Sequence, residues 1–120
     1  MLGVFRRSLK TGIVTTAYPA VPETAPSLFR GPVVLELARC TGDGACARAC
    51  PSQAIVVAPV EETGWVWQLD DARCVFCGLC QEACPTGAIR LSNDFELAVR
   101  AADDLVTLVV FRSEPEGSAV

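Results

Sequence analysis

The chain has 120 residues, 51% of them hydrophobic, and a formal net charge of −4, which bounds it at one domain. It has no histidine and a single lysine, Lys10, so histidine zinc sites, Rieske-type centres and the usual general base of a hydrolase or transferase are excluded. The longest apolar stretch, Leu105 to Phe111, falls far short of the ~20 residues that a membrane-spanning helix needs.

In chain order, residues 1–14 read as a helix. Leu2, Phe5, Leu9 and Ile13 lie three and four apart and form one apolar stripe. Arg6, Arg7 and Lys10 occupy the other side with no acid among them. A basic amphipathic helix reads as a membrane-surface or partner-docking element, and that reading is favoured over packing on its own domain. The start at Met1 shows no basic, apolar and cleavage-site succession, so no signal peptide is expected.

Pro19, Pro22, Pro26 and Pro32 then forbid regular helix and disfavour a central strand. The segment is expected to be an extended arm that packs along a neighbouring subunit or links two parts. Residues 1–32 are therefore read as a helix and docking arm, and residues 33–92 as the core.

Within the core, 33–35, 54–58, 65–69 and 88–91 read as short strands, with Trp65 and Trp67 on one side and Val66 on the other. Residues 61–64 read as a turn, and 45–49 and 79–83 as short helices. Asn93-Asp94-Phe95-Glu96 fits a capping box, which predicts a C-terminal helix to about Ala102. The last part, 93–120, is thus a helix followed by a polar tail over 113–120, either loose or ordered by a partner.

Charge is uneven. Residues 1–39 carry five basic residues against two acids, and the remainder carries five arginines against twelve acids. The acidic part reads either as a solvated face or as a docking surface for a basic partner.

The cysteines carry the chemistry. Cys74, Cys77, Cys80 and Cys84-Pro85 form a C-x₂-C-x₂-C-x₃-C-P run, the spacing of a bacterial ferredoxin, in which the fourth cysteine serves a second cluster. Residues 40–57 repeat 74–91 without a gap at an offset of 34. Cys40 matches Cys74, Cys46 matches Cys80, Cys50-Pro51 matches Cys84-Pro85, and Asp43 stands where Cys77 would be expected.

By the crossed rule, Cys74, Cys77, Cys80 and the remote Cys50 hold one [4Fe–4S] cluster. Cys40, Cys46 and the remote Cys84 hold the other, with Asp43 at its fourth corner. A zinc site in each half is the lesser alternative. An odd cysteine count at this spacing argues against disulfides and points to reduced thiolates and the cytoplasm.

Asp43 leaves three outcomes open. Its carboxylate ligates iron in a [4Fe–4S] cluster, it leaves a [3Fe–4S] cluster, or the site accepts both. The fold expected is α+β, a two-fold pseudo-symmetric bacterial 2[4Fe–4S] ferredoxin-like domain preceded by the amphipathic helix and arm. No phosphate-binding or dinucleotide-binding glycine pattern is present, no nucleic-acid partner is expected, and catalysis by this chain alone is not expected.

Beyond the cysteines, Lys10-Thr11-Gly12, Tyr18-Pro19 and Phe29-Arg30-Gly31 stand in the leader. Cys50-Pro51-Ser52-Gln53-Ala54-Ile55, Trp67-Gln68, Cys74-Val75-Phe76-Cys77-Gly78 and Phe95-Glu96-Leu97-Ala98 follow. In these the chain resembles the dicluster ferredoxin-like subunits of membrane-bound group 4 [NiFe] hydrogenases, those of the formate hydrogenlyase type above all.

The resemblance covers about residues 1–105. Subunit I of complex I-like NADH–quinone oxidoreductases shares the cluster motifs but has a different leader, and ranks second. A free diffusing ferredoxin ranks below both, since it does not require so long an arm.

The resemblance implies an electron-relaying subunit of a hydrogenase complex. Its partners would be hydrogenase small- and large-subunit-like proteins, a membrane-arm subunit and another iron–sulfur protein. It would lie peripherally on the cytoplasmic face of the inner membrane. Two departures stand out: the family usually has cysteine where this chain has Asp43, and its members often continue past the domain, whereas this chain stops at Val120.

Overall fold

The computed structural model describes residues 2–60 and 64–112. The apolar alternation along residues 64–70 makes β3 (Gly64–Asp70), whose Trp67 and Leu69 turn inward and are each 1% exposed. On either side lie β2 (Ile55–Val60) and β5 (Val106–Arg112), both antiparallel to β3. Ile55 faces Leu69 in the β2–β3 register, and Trp67 faces Val109 in the β3–β5 register. A second, two-stranded sheet pairs β1 (Val33–Leu35) with β4 (Ile89–Leu91), Val33 opposite Leu91. The buried core joins Val33, Ala54, Ile55, Trp67, Leu69, Ala88 and Ile89 with Cys46 and Cys80.

Between the strands lie two helices, α2 (Ala45–Ala49) and α3 (Leu79–Ala83), packed against each other. Each starts on a glycine in the left-handed region, Gly44 at φ 71° and Gly78 at φ 87°, where a side chain would be strained. Each stops at a cysteine followed by proline. Cys50 has φ −76° and ψ 112°, and Cys84 has φ −73° and ψ 114°. Proline disfavours helical geometry in the residue before it, and both cysteines take the same extended turn away from their helix. Together the helices and sheets make a small α+β fold.

The helix α1 (Leu2–Thr11) precedes this body, and all its described residues are exposed. The arm after it lies along residues 92–96. Phe95 meets Tyr18 and Phe29 edge to face, with ring centroids at 5.5 and 6.5 Å. Asn93 Nδ2 donates to the Ala25 carbonyl at 2.9 Å. The Gly31 amide donates to Ser92 O, and the Ser92 amide to Pro32 O, both at 2.9 Å.

These contacts account for the main correction to the sequence reading. The helix expected from Asn93 to about Ala102 does not form; a single 3₁₀ turn spans Ala102–Leu105. A capping box needs the Asn93 side chain on the Glu96 amide. Asp94 Oδ1 takes that amide instead, at 3.0 Å, while Asn93 is spent on the arm. The apolar run at 105–111, which suggested no element by its sequence, is β5. Of the expected turn at 61–64, residues 61–63 lie outside the described residues, as does the tail at 113–120, and Gly64 is the first residue of β3.

Candidate metal centres

The end of α2, the loop before α3 and α3 itself bring four thiols together from both halves of the repeat. Cys50, Cys74, Cys77 and Cys80 line one narrow cavity with Val33, Ile55, Phe76 and Leu91. The loop carrying Cys77 is bent on both sides, with Phe76 at φ 51° and Gly78 at φ 87°.

Cys80 is buried in α3, and burial pushes its thiol up to about 11. Burial also raises Cys74, against the pull of the Phe76 amide, which lies 3.5 Å from its sulfur. Cys50 goes the other way. Burial acts to raise it, but the Ser52 hydroxyl and the amides of Ala54, Ile55 and Ser52 outweigh that, and the net shift is downward. Ala54 N donates to Cys50 Sγ at 3.3 Å.

Cys84 has the same surroundings 34 residues on. The Ala88 amide donates to its sulfur at 3.2 Å and Thr86 Oγ1 lies at 3.6 Å. The thiol is again lowered, these donors outweighing burial. Amide donors aimed at sulfur stabilise the thiolate, the form that binds metal.

Cys40 and Cys46 form the other group. Cys40 follows the 3₁₀ turn Leu37–Arg39, and Cys46 is buried in α2. Burial raises the Cys46 thiol, the Trp67 indole N–H opposes it, and the neighbouring Cys40 adds to the rise. Asp43 lies in the loop between them with its side chain at the surface. Its backbone carbonyl accepts from Arg48 Nη1 at 2.8 Å.

The donor set suits a polynuclear cluster. Among the described residues, no three Cys, Asp or Glu side chains converge as they would on a single ion. Thiolates suit iron–sulfur clusters, and the thiols of the better-defined centre stand around a space rather than a point. At the other centre, Trp67 Nε1 is buried without a partner of full hydrogen-bond geometry, although it is close enough to Cys46 to lower its pKa. A sulfur acceptor there would satisfy it.

Sequence reasoning alone gave no role at the site to Trp67, Ser52 and Thr86, nor to Arg30, whose Nη1 donates to the Cys77 carbonyl at 2.8 Å. Ser52 and Thr86 were within reach, since they are partners in the repeat. Arg30 lies 47 residues from Cys77 and gives no such signal.

Residues 39–88 match the 4Fe-4S dicluster domain family. Formate hydrogenlyase subunit 6 of Escherichia coli (strain K12) is 44% identical over 107 residues, which cover 88% of this chain and 59% of that protein. Among solved structures, the membrane-bound sulfane sulfur reductase (MBS), an archaeal respiratory membrane complex, has a chain that matches with a TM-score of 0.56 and 28% identity. The match covers 73% of this chain and 48% of that one. The chain thus spans about three fifths of the curated relative and about half of the solved chain. It carries a 4Fe-4S dicluster domain and is related to formate hydrogenlyase subunit 6.

Proposed function

We propose that this chain is an electron-transfer subunit of a membrane-associated, hydrogenase-type complex, relaying electrons through two iron–sulfur centres. The cavity that Cys50 shares with Cys74, Cys77 and Cys80 carries the reading, because it joins the two halves of the repeat in one thiolate set. The relationship to formate hydrogenlyase subunit 6 supports the hydrogenase-type setting.

Cys50, Cys74, Cys77 and Cys80 hold a [4Fe–4S] cluster. Cys40, Cys46 and Cys84 hold the second, with Asp43 at the fourth corner, as either an oxygen-ligated [4Fe–4S] or a [3Fe–4S] cluster. Bound there, such groups supply one-electron redox sites whose potentials follow ligand identity, charge and hydrogen bonding to sulfur.

The protein's own part is to present thiolates and to fix them. The Ala54 and Ala88 amides, with Ser52 and Thr86, do this for the two crossing cysteines in the same way. That likeness supports a two-fold pseudo-symmetric domain. Phe76 and Gly78 fold the Cys77 loop over its cavity.

Residues 1–32 serve as the docking part. The exposed Leu2, Phe5, Leu9 and Ile13, with Arg6, Arg7 and Lys10, support attachment at the membrane arm of the complex. The chain then lies peripherally on the cytoplasmic face of the inner membrane, beside hydrogenase small- and large-subunit-like proteins and a further iron–sulfur protein. Among the described residues no helix is long and apolar enough to cross a membrane.

Purification of the complex tests this reading. Two clusters per chain and copurifying hydrogenase-like subunits are expected; a chain recovered free, in full yield, would contradict it.

A further inference from the structure

In both halves, the residue at the second ligand position of the repeat has its backbone carbonyl held by an arginine. Asp43 O accepts from Arg48 Nη1 and Cys77 O from Arg30 Nη1, each at 2.8 Å. The two arginines have different origins. Arg48 is local, five residues on, in α2. Its partner in the repeat is Glu82 in α3, whose carboxylate has no proton to donate. The second half therefore lacks the local donor, and the arm supplies one from 47 residues away.

The arm is seated on both sides of Arg30. Before it, Asn93 holds Ala25 and Phe29 meets Phe95. After it, the Gly31 amide holds Ser92 O, and the backbones come so close that a Cβ at Gly31 would strike the carbonyl oxygens of Asp94 and Ser92. The loop that Arg30 reaches is strained, since Phe76 is held in the left-handed region without being glycine.

We propose that Arg30 is a positioning residue for the Cys77 corner: it fixes that loop, sets a positive charge beside one centre alone, and so couples the seating of the arm to that centre's reduction potential. The inference rests on the reading of Cys77 as a ligand. Reduction adds negative charge, so a nearby guanidinium favours the reduced state and raises the potential. Arg48 gives the Asp43 corner a similar charge from within the core. The two differ in that Arg30 belongs to the arm, so its charge depends on how the arm is seated, while Arg48 belongs to α2 in the core. Both bonds are exposed, so the effect weakens as salt rises.

The test uses full-length, cluster-loaded protein, with redox titration followed by electron paramagnetic resonance and with iron and sulfide counted. The Cys77 centre is identified by its alteration in Cys77→Ser. Arg30→Gln should lower the potential of that centre alone, more at low salt than at high, and Arg30→Lys should restore most of it. Arg48→Gln should move only the other centre. Asn93→Ala, which loosens the arm without changing charge, should move the same centre as Arg30→Gln and in the same direction.

Unchanged potentials in fully loaded Arg30→Gln, or equal shifts in both centres, would overturn the inference. If Arg30→Gln does not load, Arg30→Lys decides: restored loading and potential support the role, and failure of both overturns it. A wild-type chain holding fewer than two clusters would refute the ligand reading itself, and the inference with it.

Discussion

Trp67 lies beside Cys46, with its indole Nε1 buried and without a fully formed hydrogen bond. Burial raises the Cys46 thiol, and the indole N–H works against that rise. The donor comes from β3 and the sulfur from α2, so the sheet reaches into the centre that Cys40 and Cys46 begin. A buried donor of this kind gains an acceptor when the sulfur becomes a thiolate.

Trp67→Phe should therefore lower the potential of the Cys40/Cys46 centre while leaving the other in place, because one N–H aimed at sulfur is lost. Redox titration checks this. Trp67→Ala should cost more in another way: at 1% exposure the indole fills the core, and truncating a large aromatic costs ~3–5 kcal/mol. Thermal or denaturant unfolding of the loaded protein reads that loss.

Asp43 carries the next expectation. Its position in the repeat is that of Cys77, and the Arg48 bond holds its backbone rather than its side chain. If the carboxylate keeps a fourth iron, the oxidised protein should be silent in electron paramagnetic resonance, and the reduced protein should show two interacting centres. A strong oxidised signal of the three-iron type, removed by Asp43→Cys, would assign the [3Fe–4S] form. In either form Asp43→Cys should shift this centre alone. No shift would mean that the carboxylate, which is exposed, faces away from the iron.

The arm and the helix should separate by mutation. Deleting residues 2–14 should leave the unfolding midpoint of the loaded protein unchanged, since the described residues of α1 are all exposed, yet should weaken recovery of the chain with its complex. Gly31→Ala should instead destabilise, by about 1–3 kcal/mol, because the added methyl meets backbone that cannot give way. Faster proteolysis of the arm would accompany it. An unaltered Gly31→Ala midpoint would show that the arm is not tightly seated on residues 92–94.

Much of the core was legible because local chemistry decides it. Gly44 and Gly78 start the two short helices and Pro51 and Pro85 stop them, so their limits could be read from the sequence. The period-2 pattern of Trp65, Trp67 and Leu69 likewise marked β3.

What escaped depends on distant partners. Asn93 and Glu96 satisfy a capping pattern locally, but Ala25 competes for Asn93 from 68 residues away and wins. In β5 the apolar run hides the alternation that its burial shows: Val109 and Phe111 are half-buried, while Leu108 and Val110 are exposed. At the centres, the cysteines announced themselves by spacing. Trp67 and Arg30 reach sulfur and loop only through the tertiary fold.

The crossed ligand set is tested most directly by comparing four single variants of the loaded protein, each by iron and sulfide content and electron paramagnetic resonance. Cys50→Ser should give the spectrum of Cys74→Ser, since Cys50 lines the cavity of Cys74, Cys77 and Cys80. Cys84→Ser should give that of Cys40→Ser. The opposite pairing, with Cys50→Ser matching Cys40→Ser and sparing the Cys74 centre, would contradict the crossing.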